Sequence, residues 1–132
     1  MSTAICYEVV YPALIREGIQ RGSTLLTTIT NDAWFGRSSA AYQHFDQGAI
    51  RAVEEGRFIV RAANTGISGA IDPYGRVLTS TELFVPIAVT ADVRLLSVRT
   101  WYNRIGDVVV WMSLVATGMV LLTSRRIRGT SG

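Results

Sequence analysis

Lysine is missing altogether from these 132 residues: all thirteen basic side chains are arginines, and only one cysteine and one histidine are present. The arginines are scattered singly except for Arg125, Arg126 and Arg128. A net charge of +3 spread in this way is not the clustered basic face that nucleic-acid binding demands, so no nucleic-acid partner is expected. The single cysteine, Cys6, forms no internal disulfide and leaves thiol chemistry open. There is no cluster with metal-ligand spacing, no glycine loop built to cradle phosphate and no internal repeat, so neither a metal nor a cofactor is implied. Residues 1–5 also lack the basic start and long apolar stretch of a signal peptide.

What is present is a chain of one domain's length, 48% apolar, enough to bury an ordinary core. Thr3 to Cys6 reads as a short strand. Pro12 followed by Ala13 to Arg21, with Gly22 behind, reads as a helix, because proline suits a first turn and glycine the position past the last. Leu14, Ile15 and Ile19 form its expected buried stripe. Ser23 to Thr30 is β-branched, apolar and uncharged, the pattern of a strand covered on both faces. Ser38 or Ser39 caps a helix running to about Glu55, with Tyr42, Phe45, Ala49 and Ala52 recurring at three- and four-residue spacing. Phe58 to Ala63 and Ile67 to Asp72 read as strands, and Asp72-Pro73-Tyr74-Gly75 as a hairpin turn into Arg76 to Ser80. Ile87 to Val93 reads as a last strand. Strands and helices alternating, then several strands, is the order of an α/β layered domain.

Cys6 stands in Ile5-Cys6-Tyr7-Glu8, where the first strand gives way to the helix at Pro12. A thiol at such a corner is presented, as a nucleophile elbow requires, whereas a lone cysteine without that context is usually a small buried hydrophobe. At an elbow the backbone N–H of the next residue, Tyr7, points to where an oxyanion forms. On residue type, Glu8 reads equally as a first-turn carboxylate favoured by the helix dipole and as an active-site group. The block Asn31-Asp32-Ala33-Trp34-Phe35-Gly36 follows a strand end, where loops carry function, although a tryptophan alone is more often core. His44 invites a Cys/His dyad but falls early in a helix, and Arg51 with Glu54, three apart, reads as a structural pair.

From Val108 to Ser124 there is no charge, and the apolar residues run all the way round a helix. Seventeen residues at about 1.5 Å each reach the short end of what spans a hydrocarbon core of about 30 Å. Trp101, Tyr102 and Trp111 supply interfacial aromatics on one side, and Arg125-Arg126-Ile127-Arg128 a positive stop on the other. The alternative is a buried core helix, which usually shows at least one polar side. The arginine end is then cytoplasmic, and everything up to Asp107, Cys6 included, lies on the outer face of the inner membrane.

Ile5-Cys6-Tyr7-Glu8, Thr30 to Gly36, Tyr42-Gln43-His44, Arg51-Ala52-Val53-Glu54, Arg61-Ala62-Ala63-Asn64-Thr65-Gly66 and Asp72-Pro73-Tyr74-Gly75-Arg76 together resemble the C-terminal part of the bacterial apolipoprotein N-acyltransferase family. That family is the membrane branch of the carbon–nitrogen hydrolase (nitrilase) superfamily. The resemblance implies the C-terminal half of a nitrilase-like αββα sandwich followed by one transmembrane helix. Residues 1–95 would be a partial acyltransferase domain, 96–107 a linker, 108–124 the transmembrane helix and 125–132 a cytoplasmic basic tail. It implies transfer of an acyl chain from a phospholipid, through a thioester on Cys6, to the α-amino group of a lipoprotein's N-terminal diacylglyceryl-cysteine, at the bacterial inner membrane. Cys6 is then the nucleophile, Glu8 an active-site carboxylate and Tyr7 an oxyanion donor through its main chain, with Asn31, Asp32, Trp34 and Phe35 as substrate contacts. A nitrilase-like amidase using water, and an inactive truncated or split membrane module, are the alternatives. The family's glutamate base and lysine precede the cysteine, whereas five residues precede Cys6 here and there is no lysine. The expectation is therefore a C-terminal fragment that does not turn over alone and works with a separate N-terminal half.

Overall fold

The computed structural model describes residues 1–129, with side chains through Ser124, so the arginines expected to form a basic tail lie outside the described side chains. Five strands form one sheet in the order β1-β2-β3-β4-β5. β1 (Ser2–Ile5), β2 (Leu26–Asn31) and β3 (Ile59–Asn64) run parallel, and β4 (Gly69–Ile71) and β5 (Val77–Ser80) return antiparallel. Parallel neighbours need a long crossover, supplied by α1 (Pro12–Gln20) and α2 (Ser39–Glu55). Pro12 opens α1, as expected. The Ser38 hydroxyl accepts the Ala40 N–H at 3.3 Å to cap α2, and Gly56, left-handed at φ 61°, ends it. The hairpin also forms: Gly75 N–H donates to the Asp72 carbonyl at 3.0 Å, and Asp72 Oδ1 accepts from the Tyr74 and Arg76 N–H groups at 2.8 and 3.0 Å.

The core lies on one side of the sheet, where Ile15, Ile19, Phe45 and Ala52 from the helices meet Ala4, Leu26, Ile59 and Ile71 from the strands. β2 therefore differs from the expected strand covered on both faces. Leu26, Thr28 and Thr30 point into the core, while Ile29 and Asn31 on the alternate face are exposed, as is Val60 on β3. The described helices cover one face only, and parallel sheets are ordinarily covered on both. Leu14 and Tyr42 also leave their expected buried stripes and are exposed. The inward line of α2 runs through Ala41, His44, Phe45, Gly48, Arg51, Ala52 and Glu55, which keeps the helical period but turns the wheel by about one residue.

Ile87 to Val93 forms no strand, because no strand of the sheet pairs with it. Alternating apolar residues become a strand only where an edge accepts the ladder. The segment from 81 to 100 is instead tied by single bonds, Phe84 N–H to Thr65 O at 3.0 Å and Leu96 N–H to Thr24 O at 3.1 Å.

Residues 96–107 carry a short helix, α3 (Trp101–Ile105), docked on α1 and α2. The buried Asn103 donates its amide to Glu55, and its carbonyl accepts from Arg16 Nε at 2.8 Å and Gln20 Nε2 at 3.0 Å. The last element, α4 (Val108–Gly129), is exposed at every position from 108 to 124 except Gly118. Among the described residues, no helix is long and apolar enough to cross a membrane.

Burial pushes the Glu55 carboxyl above the usual carboxylate range, with Glu54 adding to the rise and Asn103, Arg16 and Arg57 opposing it. A carboxyl whose folded pKa lies above its unfolded value stabilises fully below the unfolded value, and that contribution is lost as pH rises through the folded one. In the full-length protein Glu55→Gln, which keeps an oxygen for Asn103, should therefore raise Tm near pH 7, with the gain shrinking toward about pH 4. Thermal unfolding at both pH values checks this, and an unchanged gap between the two proteins would contradict it.

Candidate active site

β1 ends at Ile5 and the chain turns at once into a 3₁₀ turn, Cys6–Val10, before α1 begins. The corner falls on Cys6, whose φ of 53° lies in the left-handed region. A side chain there costs about 1–2 kcal/mol, so its surroundings must hold it. Bonds on either side do so. Glu8 Oε2 accepts the Ile5 N–H at 2.7 Å, and His44 Nε2–H donates to the Cys6 carbonyl at 3.2 Å. Cys6 itself is half-buried with a free thiol.

His44 is in turn held from within. Its Nδ1 accepts from Arg61 Nη2 at 3.1 Å and lies 3.0 Å from Asp32 Oδ1. Asp32, just past β2 and 2% exposed, also accepts from the Thr30 hydroxyl at 2.9 Å and from Arg61 Nη2 at 2.7 Å. Arg61 reaches this place because strand alternation turns it inward on β3, and its Nε–H donates to the Ile67 carbonyl at 3.1 Å. Burial pulls the Arg61 guanidinium below its ordinary pKa, while Asp32 beside it, and to a lesser degree Cys6 nearby, oppose that. The loop after β3 closes on this group only because residue 66 is glycine: a Cβ there would stand 2.3 Å from Asp32 Oδ2.

Around the polar line stand aromatic rings. Phe35 meets His44 edge-on with centroids 5.7 Å apart, and Tyr7 lies 6.3 Å from the same ring. Trp34, in the 3₁₀ turn Ala33–Phe35, is 85% exposed. Asn31 Oδ1 accepts from the Ala33 N–H at 3.2 Å and from Asn64 Nδ2 at 3.3 Å, bracing the loop across two strand ends.

Cys6, Tyr7 and Glu8 thus share one turn, and Asn31, Trp34 and Phe35 occupy the neighbouring strand end, the end at which open α/β sheets bind ligands. Asp32 does not join that rim. Its oxygens face Thr30, Arg61 and His44, so its carboxylate is engaged by the interior and turned away from a substrate. Glu8 caps the elbow in the place where two readings had stood open. Arg51 Nη1 and Glu54 Oε2 lie 2.9 Å apart, as the spacing suggested. Sequence reasoning passed over Thr30 and Arg61 and weighed His44 only as a dyad partner; the available signal was a polar or charged side chain at an inward position of a strand or helix. A cleft of about 620 Å³ between the start of α2 and the β4–β5 hairpin, lined by Arg37, Tyr42, Phe45 and Leu83 among others, does not include Cys6. Among the described residues no group of three or more His, Cys, Asp and Glu side chains is placed to hold a metal ion.

The carbon-nitrogen hydrolase family profile matches residues 1–103. The chain belongs to the carbon–nitrogen hydrolase family. Within it, the chain is 46% identical over 116 residues to the apolipoprotein N-acyltransferase of Geobacter metallireducens, covering 88% of this chain and 22% of that protein. It is 37% identical over 125 residues to that of Thermotoga maritima, covering 95% and 25%. This carbon–nitrogen hydrolase chain thus spans about a quarter of the length of the curated relatives it matches. Its fold is similar to a carbon-nitrogen hydrolase from Helicobacter pylori, with TM-score 0.55 at 13% identity over 61% of this chain and 35% of the other. Saccharomyces cerevisiae Nit3, of the nitrilase superfamily, gives TM-score 0.53 at 16% identity over 61% and 32%. The nitrilase-like α/β fold expected from sequence is therefore present.

Removing one partner of a buried pair leaves the other charge uncompensated, which costs about 3–5 kcal/mol. Arg61→Met, measured by denaturant unfolding of the full-length protein, should lose stability on that scale. A loss below about 1 kcal/mol, the range of exposed pairs, would contradict the buried pairing.

Proposed function

We propose that this chain is the nucleophile-bearing C-terminal portion of an apolipoprotein N-acyltransferase and that Cys6 carries the acyl group. The observation that supports it most is Cys6 in a left-handed corner at the end of a parallel strand, with the backbone fixed on both sides. In the first step the Cys6 thiolate attacks the ester carbonyl of a phospholipid. A C–S bond forms, the bond to the glycerol oxygen breaks, and the lysophospholipid leaves with a proton. The Tyr7 N–H, in the first turn after the corner, would donate to the oxyanion. In the second step the α-amine of a diacylglyceryl-cysteine attacks the thioester. A C–N bond forms, the C–S bond breaks, the amine's proton passes to the base expected from the part preceding Cys6, and the thiolate returns.

Glu8 acts in this reading as a carboxylate that keeps the turn in shape beside the thiol, and Asn31, Trp34 and Phe35 line the approach of the acyl chain. The base and a lysine are expected from a part of the enzyme that precedes Cys6, as the family resemblance implies. The exposed sheet face with Ile5, Ile29 and Val60 is where that part would pack. This chain alone is expected not to turn over.

The exposed apolar helix α4 supports a membrane acyl donor over a soluble amidase acting with water, since a soluble enzyme has no use for such a surface. Residues 108–124 are too few to cross by themselves, and we place them in the bilayer of the inner membrane as part of the 22-residue α4, with Trp101 and Trp111 near one interface, the arginines after Ser124 on the cytoplasmic side and the catalytic part on the outer face. Alkaline carbonate should leave the chain in membranes, and its extraction would contradict the placement.

In the full-length enzyme given phospholipid without acceptor, Cys6→Ser and Cys6→Ala should both abolish the hydroxylamine-sensitive acyl label, because neither side chain can form a thioester. Label persisting on Cys6→Ala, which has no acyl acceptor at position 6, would show that another group is the nucleophile.

A further inference from the structure

His44 is the chain's single histidine and sits 4% exposed at the centre of the polar line described above. It does not serve the thiol as a base in this geometry, since its Nε2 is engaged by the Cys6 main chain. We infer that His44 is a positioning residue for Cys6: held at Nδ1 by Arg61, which is itself paired with Asp32, its Nε2–H grips the Cys6 carbonyl and fixes the left-handed turn that aims the thiol. The inference rests on the reading of Cys6 as the nucleophile.

Three observations bear on it. First, Cys6 occupies a backbone region that resists any side chain, so the peptide after it tends to relax unless its carbonyl is held. Second, the holder is rigid. His44 comes from α2, Asp32 from the end of β2, Arg61 from β3, and each has a bond that fixes it relative to the next. Phe35 closes on the ring edge, leaving the imidazole wedged as well as bonded. Third, the arrangement is costly for mere filling. An apolar side chain of similar size would occupy the place of His44 without calling for a buried carboxylate and guanidinium beside it, and apolar replacements of buried ionic groups are often neutral or stabilising. A polar line that ends on the Cys6 carbonyl gains its purpose from that carbonyl.

Two amides separate the positioning role from a structural one. In His44→Gln the side-chain nitrogen can reach the place of imidazole Nε2 and still donate to the Cys6 carbonyl. In His44→Asn the nitrogen takes the place of Nδ1, keeping Asp32 company but releasing Cys6. In the full-length enzyme with phospholipid and a diacylated lipopeptide, H44N should lower kcat about 100-fold, the scale of a reacting group misplaced by about 1 Å. KM for the phospholipid should stay within about twofold, because His44 does not itself line the approach of the acyl chain. H44Q should recover to within about tenfold of the parent, the scale of one hydrogen bond of altered geometry.

H44N acting at the parent rate, or H44Q as slow as H44N, would overturn the inference. Should H44N fail to accumulate, Thr30→Val takes one donor from Asp32 without emptying space, and its kcat should fall about fivefold with KM unchanged; an unchanged kcat would overturn the inference in that case. The underlying reading fails separately: acyl label on Cys6→Ala would remove Cys6 as nucleophile whatever the His44 variants do.

Discussion

A carboxylate shut away from water has to be satisfied by its neighbours, and the site depends on how Asp32 is satisfied. An unpaired buried charge costs several kcal/mol, which the chain meets with Thr30 from the same strand, Arg61 from the adjacent one and His44 from the helix between them. Each partner is itself fixed elsewhere, Arg61 by the Ile67 carbonyl and His44 by the Cys6 carbonyl. The result joins the ends of two parallel strands, the first turns of α2 and the elbow at Cys6 into one geometry. A sheet of this kind leaves strand ends free to vary; here the variation is removed beside the Cys6 thiol.

Much of the framework was legible because its signals are local. Pro12, Ser38 with Gly56, and Asp72-Pro73-Tyr74-Gly75 each carry in a few residues the chemistry that starts or stops an element, and each does so in the fold. Cys6 was legible as a corner for the same reason. What failed were judgements that depend on the rest of the molecule. Tyr42 and Ala41 differ by one step on the helical wheel, and only the position of the sheet decides which is buried. Ile87 to Val93 alternates well enough but has no edge to pair with. Asp32 read as a substrate contact because nothing beside it in sequence announces that Arg61 and His44 come to meet it.

The α/β layer has helices on one face, and the other presents Ile5, Ile29 and Val60 to solvent. The chain also matches about a quarter of its curated relatives' length. At the other end, α3 is locked to α1 and α2 through Asn103 and Glu55, so α4 starts from a docked segment and its direction is set by the domain. A thiol beside buried charges and an apolar helix that begins at a buried amide thus belong to one connected framework.

The direct measurement is tandem mass spectrometry of the full-length enzyme after incubation with a phospholipid of known acyl chain and no acceptor. The peptide containing Ile5-Cys6-Tyr7-Glu8 should gain the mass of that acyl group on Cys6, and lose it on addition of a diacylated lipopeptide. An acyl group found on any other residue, or full transfer to the lipopeptide with Cys6 already alkylated, would contradict a thioester on Cys6.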